Sequence, residues 1–316
     1  MCPVLGRLGN TFVFFNENEK DGCTLENNKR KKRFGDRNDG RLLRSLDPMM
    51  KLMPYVMPTR NDACNMFRGQ ADADNIDKYV QEKRQNGMPN FTQMHVLLAA
   101  YTRLVSQRPG LNRFVSGQKI YARHNLEAML CVKKEMKLNT PESVISMVFP
   151  LDATADQVYK ITEDLIADAK GETTSFDNLL KVLDYIPGFV KRFVFWMIRV
   201  LDYFGWLPRW LKSLSPFHGS LFITSMASLG LPPIYHHIFN FGNVPVFIAF
   251  GVPEKKRTLK LDGTIESKKV LNYTLVMDER ICDGYYYASA FRLFNGILRN
   301  PWQLDEAPKE IVEDVD

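Results

Sequence analysis

Three acids within a few residues mark the place in this chain where chemistry is easiest to build. Asp278, Glu279 and Asp283 stand in TLVMDERICDGYYYASAF, Thr274 to Phe291, where an apolar strand runs into a glycine turn and then an aromatic helix. A carboxylate can serve as a general base if its surroundings lift its pKa toward the working pH. If Val270 to Met277 is a strand that continues a little, Asp278 and Glu279 point to opposite faces, so only one of them meets a given cleft. Asp283 precedes Gly284 and the helix, a position suited to accepting backbone N–H bonds as an N-cap. Glu279 has no such structural duty and is the candidate for chemistry. His236 and His237 are the other groups that could move a proton, but a lone histidine more often serves a hydrogen-bonded structural role. With Glu279 they make three conceivable metal ligands without helical i, i+4 spacing, and no metal is expected. Tyr285, Tyr286 and Tyr287 open the helix and read as packing groups.

The elements that must position these residues follow from periodicity. Helical spacing predicts helices over Asp72–Gln85, over Phe91–Gln107 with Thr92 as cap, from about Ala155 to Ala169, and over Tyr285–Leu298. Strands are predicted around Arg113–Val115, Gln118–Tyr121, Met129–Lys134, Ser143–Pro150, Ser220–Ser225, Pro245–Gly251 and Val270–Met277. The Asp262-Gly263 pair in KLDGTIESKK signals a hairpin. SLDPMMKLMPYVMPTR carries three prolines and predicts an extended arm or short strand rather than a long helix. Irregular alternation of strands and helices predicts an α/β two-layer sandwich with a mixed sheet. Neither G-x-G-x-x-G nor G-x-x-x-x-G-K-[ST] occurs, so the usual phosphate-cradling loops are missing.

Charge and composition narrow the class. The 316 residues are 45% hydrophobic with a formal net charge of +6, enough apolar matter for a substantial core. Asn27 to Arg44 holds eight Lys or Arg and two Asp, so the remainder is formally neutral. That predicts a neutral globule behind a basic, partly disordered leader (1–45), not a nucleic-acid-binding domain. Cys2, Cys23, Cys64, Cys131 and Cys282 are scattered and without C-x-x-C, which points to a reducing compartment. With no apolar h-region at the N-terminus, cytoplasmic residence is the expectation. Residues 305–316 read as an acidic tail. Within the main domain (46–304), 172–216 reads as a hydrophobic helical insert. On a helical wheel Lys191, Arg192, Arg199 and Asp202 fall within about 100° of one another, leaving a broad apolar remainder. Its uncharged runs are far short of the ~20 residues that span a bilayer. Two alternatives stay open for 186–211: peripheral contact with a membrane interface, or a helical hairpin packed on the domain or on a neighbouring subunit.

Several of these stretches carry a resemblance. DERICDG resembles the H-x-x-x-D-G segment of chloramphenicol acetyltransferases and of the catalytic domains of 2-oxoacid dehydrogenase dihydrolipoyl acyltransferases, often preceded by Asp and followed by Arg in the latter. HGSLFITSMASLG is similar to that family's G-x-F-x-[IV]-[ST] strand, HHIFNFGNVPVFIAFGVPEKK to its next strand, PTRNDACNMF to its early helix start with an arginine, and MPNFTQMHVLLAAYTRLVSQRPGLNRF to its first long helix. The similarity runs from about Leu46 to Leu304, omitting Glu172 to Pro216.

The resemblance implies a CoA-dependent acyltransferase fold, a homotrimer with sites at subunit interfaces, and coenzyme A or acyl-CoA as co-substrate beside a small-molecule acceptor. Carried over by position, it makes Glu279 the base where the family has histidine, Thr224 the oxyanion donor, and Asp283 with Arg60 a structural pair. A carboxylate near its reference pKa of ~4.3 is a poor base at neutral pH; burial against Met277 and the tyrosines is what would raise it. Two readings follow: an acyltransferase using Glu279, or a catalytically inactive member acting as a trimeric scaffold or as an acyl-CoA or membrane-surface binder.

Overall fold

Two short strands, β1 (Gly6–Leu8) and β2 (Thr11–Val13), pair antiparallel in a unit, Met1–Phe34, that is separate from the compact unit Gly35–Asp316. The computed structural model describes these strands and residues 31–133, 142–171 and 183–316. The rest of residues 1–30 of the leader and residues 172–182 of the expected insert lie outside the described residues.

In the larger unit, β3 (Gly40–Leu42), β5 (Arg113–Ser116) and β6 (Lys119–Arg123) make a small antiparallel sheet in the order β3-β6-β5. The main sheet has seven strands: β4 (Cys64–Asp72), β7 (Leu126–Lys133), β8 (Glu142–Phe149), β9 (Leu221–Ser225), β10 (Val246–Phe250), β11 (Glu254–Leu259) and β12 (Ile265–Asp278). Their order is β11-β12-β10-β9-β7-β8, with β4 also paired to β12. Because β9 runs parallel to both β10 and β7 while the other pairs are antiparallel, the sheet is mixed. The hairpin at Asp262-Gly263 forms as expected, with Gly263 at φ 79°.

Strand alternation divides the side chains between two faces. Ile223, Ile248, Tyr273 and Met277 enter the main core. Opposite them, Met129, Phe222, Phe247 and Val276 form a smaller cluster closed by Ile238 and Val244 from the β9–β10 connection. The main core is completed by helices: α2 (Ala73–Gln85), α3 (Gln93–Gln107), α4 (Ala155–Gly171) and α7 (Gly284–Arg299). Burying a large apolar side chain there contributes ~1.5–3 kcal/mol. Asp72 caps α2 through the Asp74 N–H at 3.0 Å, and Thr92 N–H donates to His95 Nδ1 at the start of α3.

One sequence expectation is corrected. SLDPMMKLMPYVMPTR contains a helix, α1 (Pro48–Val56), not an extended arm. Pro48 sits at the first turn, where its missing N–H is not needed, and the Asp47 carboxylate accepts from Met49 N–H at 2.8 Å. Pro54 falls so near the end that little helix remains to break.

Part of the leader is bonded into the domain. Arg37 is 4% exposed and is bonded to Asp39, Ser116 and Asp202, while Gly40–Leu42 pairs with β6. Residues of the acidic 305–316 segment are held against the domain. Val312 N–H donates to Ser106 O, Asp314 is held by Arg113, and Arg44 and Ser45 donate to Asp316 O.

Between α4 and β9 lie α5 (Gly188–Tyr203) and α6 (Arg209–Leu214). None of the residues of α5 is fully buried. Its ties to the domain are polar and aromatic: Arg37 donates to both the carboxylate and the carbonyl of Asp202 at 2.6 Å, Tyr203 donates to Gln118 at 3.1 Å, and Phe195 packs against Phe241 at 5.1 Å. Lys212 of α6 reaches Asp39 at 2.9 Å.

Candidate active site

β12 ends in a tightly bonded turn, and the order of its bonds explains which acid is left over. Asp278 is 1% exposed and receives two bonds from the Arg280 guanidinium, at 2.8 and 2.7 Å. Arg280 also donates to the carbonyl of Met57 at 3.1 Å. The Tyr287 hydroxyl donates to Asp278 O at 2.6 Å, and Arg113 donates to Ile281 O at 3.1 Å. Asp283, exposed, accepts from Tyr286 N–H at 2.7 Å and caps α7 as its position in the sequence suggests. Glu279 is half-buried, and its N–H donates to Ala63 O at 2.8 Å. Among the described residues its carboxylate takes no hydrogen bond or ion pair. Two acids of the trio are committed to structure. The third is presented.

Arg60 does not pair with Asp283. Its Nε lies 4.0 Å from Asp278, and its other nitrogens donate to Phe239 O and Gly242 O. Burial lowers its pKa to about 10; Asp278 resists that shift, and neighbouring Arg280 adds to it. Gly242 is required where it stands. At φ 79°, any Cβ would lie 1.9 Å from the Phe217 carbonyl oxygen, and the loop that receives Arg60 could not close.

Thr224 is half-buried near the end of β9, on the same face as Phe222. Its hydroxyl has no protein partner among the described residues, so it is free to donate. Register keeps it away from Glu279. Thr224 pairs with Ala249 and Ala249 with Thr274, which stands well before Glu279 on β12. Strand rise and strand spacing therefore put the two residues on the order of 20 Å apart within one chain.

The remaining candidates have other duties. His236 stacks on Phe247 at 4.0 Å and 6°, and burial lowers its pKa; exposed His237 packs edge-on against Phe239. Tyr287 and Tyr286 are structural, the latter accepting from Gly110 N–H at 2.8 Å. Tyr285, expected to pack, is exposed.

Sequence reasoning missed the pairing of Asp278 with Arg280, and Arg113. The pairing carried a signal: residues two apart on a continuing strand share a face, which allows an ion pair between them. Arg113, joined to Asp314 near the C-terminus, carried none.

No family model and no curated protein matches the chain. Solved structures do. A probable dihydrolipoamide acetyltransferase from Listeria monocytogenes superposes with a TM-score of 0.53 at 13% identity, over 80% of this chain and 92% of that one. The dihydrolipoamide acetyltransferase of Azotobacter vinelandii, solved to probe a serine, a histidine and an asparagine in its catalytic mechanism, gives 0.53 at 13%, over 83% and 93%. A chloramphenicol acetyltransferase gives 0.53 at 11%, over 82% and 99%. The chain has the fold that these acetyltransferases share, the one the resemblance implied.

Proposed function

We propose that the protein is an acyltransferase in which Glu279 is the general base and Thr224 the oxyanion donor. The observation that carries this reading is the turn itself. Asp278 and Asp283 are both bound into the frame, and the one acid left without a partner stands where the resemblance puts the catalytic base. In the reaction, Glu279 takes the proton from a hydroxyl, thiol or amine acceptor as that group attacks the carbonyl of an acyl thioester. The Thr224 hydroxyl donates to the oxygen of the tetrahedral intermediate, as such donors do elsewhere. Collapse breaks the C–S bond, and the leaving thiolate takes up the proton that Glu279 holds and departs as the thiol, with coenzyme A the donor expected from the fold.

About 20 Å is too far for these two residues to serve one reacting carbonyl. The reading therefore requires a homotrimer in which Glu279 of one subunit meets Thr224 of the next. A structure of the cubic core of the pyruvate dehydrogenase complex, with a TM-score of 0.50 at 12% identity, supports assembly through this fold. Asp283 and Arg60 act only through the frame, the first as helix cap and the second beside Asp278. Cytoplasmic residence accords with the thiols of Cys64 and Cys282, which form no disulfide, and a surface contact through 186–211 belongs to the same proposal.

The test is thiol release from a panel of acyl-CoA donors with hydroxyl, thiol and amine acceptors. Turnover abolished by Thr224→Ala and by Glu279→Gln supports the reading. Mixed trimers of those two variants should regain part of the activity, because some interfaces then combine an intact Glu279 with an intact Thr224. No turnover above the Thr224→Ala background rejects catalysis and leaves a scaffold or acyl-CoA binder. A gain of activity in Glu279→His would mark a base that has degenerated.

A further inference from the structure

Building on the reading of 186–211 as a surface contact, we infer that the surface is an anionic lipid headgroup layer and that α5 lies flat on it. The outward side of α5 is aromatic. Phe189 is 77% exposed, Phe193 60%, Trp196 57% and Tyr203 49%. At 100° per residue, Phe189, Trp196 and Tyr203 fall on one line along the helix, with Phe193 beside it. Phe204, Trp206 and Trp210 continue the exposed aromatic surface beyond the helix end. No helix among the described residues is long and apolar enough to cross a membrane, so this side can rest on a bilayer but not span it.

Charge identifies the occupant. Arg192 and Arg199, two turns apart, flank the aromatic line and are exposed, as is Arg209. None of the three has an acidic partner among the described residues. The acid of the same helix, Asp202, is turned inward to Arg37. Arg199 also lies over the Phe241 ring at 5.9 Å, and a stripe of rings edged by arginines without acidic partners fits an interface where rings enter the headgroup boundary and guanidinium groups meet phosphate. Tryptophan and tyrosine favour that boundary because each is apolar at one end and polar at the other. A second copy of the same face fits worse, since a two-fold contact would bring Arg192 and Arg199 against their own copies.

Docking needs no rearrangement. Val194, Ile198 and Leu201 are half-buried on the opposite side of α5, and the Asp202 and Tyr203 bonds hold the helix to the domain with its rings outward.

The experiment is co-sedimentation of the full chain with phosphatidylcholine vesicles and with phosphatidylcholine vesicles containing phosphatidylglycerol, following tryptophan emission in parallel. Expected are binding to the anionic vesicles with a blue shift, loss of both in Phe193→Ser/Trp196→Ser, and affinity about tenfold or more lower in Arg192→Glu/Arg199→Glu. All these positions are exposed, so unchanged melting temperatures verify that the variants fold. Equal binding to both vesicle types overturns the anionic assignment while leaving the surface contact intact. Binding to neither overturns the surface contact as well, and a fall in oligomer size in the serine variant would then reassign α5 to a contact between subunits. Neither result bears on the acyl-transfer assay, which is run without lipid.

Discussion

The turn Asp278–Gly284 and the helix α5 are built on opposite plans with one feature in common. In the turn almost everything is buried and bonded, and a single carboxylate is left over. In α5 no residue is fully buried, and a single acid, Asp202, is held. Each is a frame that presents something: the turn presents Glu279, and the helix presents a row of rings. The difference lies in the material of the frame. Buried charge pairs are intolerant of losing one partner, whereas exposed rings contribute little to folding. Substitutions should therefore separate stability from function differently in the two places.

The largest effect is expected at Arg280→Ala. It strips both guanidinium bonds from an Asp278 that is 1% exposed and leaves that carboxylate with the backbone N–H of position 280 at 3.1 Å and Arg60 at 4.0 Å. Breaking a buried pair in this way costs ~3–5 kcal/mol. The check is urea denaturation at neutral pH. A loss below ~1 kcal/mol would mean that Arg60 swings in to replace Arg280, and that the turn is less fixed than its bonds imply.

Acidification tests the anchoring of the helical segment. His218 lies 3.8 Å from Asp202, and its Nδ1 is bonded to Ser215 at 2.8 Å. Burial lowers its pKa to about 4, and burial does the same to His95. Both histidines are neutral in the folded chain and take up protons near 6.5 once unfolded. Their contribution is complete above that value and is lost as the pH falls from about 6.5 toward 4, where the unfolded state binds more protons. Melts at stepped pH should show the decline, on the order of 2–3 kcal/mol for each buried imidazole, and His218→Asn should flatten part of it. A profile unchanged by that substitution would dissociate the acid sensitivity from the anchor.

How far the sequence reveals these frames depends on how local their causes are. Strands β5 to β10 and β12, and the helices α2, α3, α4 and α7, follow from periodicity within each segment, and the Asp283 cap follows from its place before Gly284. α1 was misread because proline was counted without regard to position: at the first turn it is harmless. β4 carries charged and polar residues, and pairing with β12 rather than its own pattern makes it a strand. Arg37 looked like one more charge in a basic run, yet its partners Ser116 and Asp202 lie 79 and 165 residues away. The pairing assigned to Arg60 and Asp283 failed for the same reason. Asp278, two residues before Arg280 at the end of the strand, is the acid that the turn pairs, and Asp283 was already spent on the helix.

Asp283→Ala is expected to cost ~1 kcal/mol, the usual loss of an N-cap. Set beside Arg280→Ala, it asks whether the frame is one unit or two. If the cap and the ion pair are independent, the double variant should cost the sum within about 0.5 kcal/mol; coupling through Tyr287, whose hydroxyl bonds Asp278 O, would make the sum fail. Chemical denaturation of the two single variants and the double variant decides it.

The smallest effect is expected on the open side of α5. Trp196→Ser removes a large ring, but that ring is 57% exposed and its contact is with Phe193, itself exposed. Stability should change by no more than about 0.5 kcal/mol. Ile198→Ala, on the half-buried side of the same helix, should cost more, because its methyl groups leave a packed surface rather than water. If Trp196→Ser proves the more damaging of the two in the isolated protein, the rings are already covered in solution, and the cover can only be another copy of the chain. Equal and negligible losses would mean that α5 is held by Asp202 and Tyr203 alone. The expected order, negligible at Trp196 and measurable at Ile198, is the one that leaves the aromatic row free for a surface outside the protein.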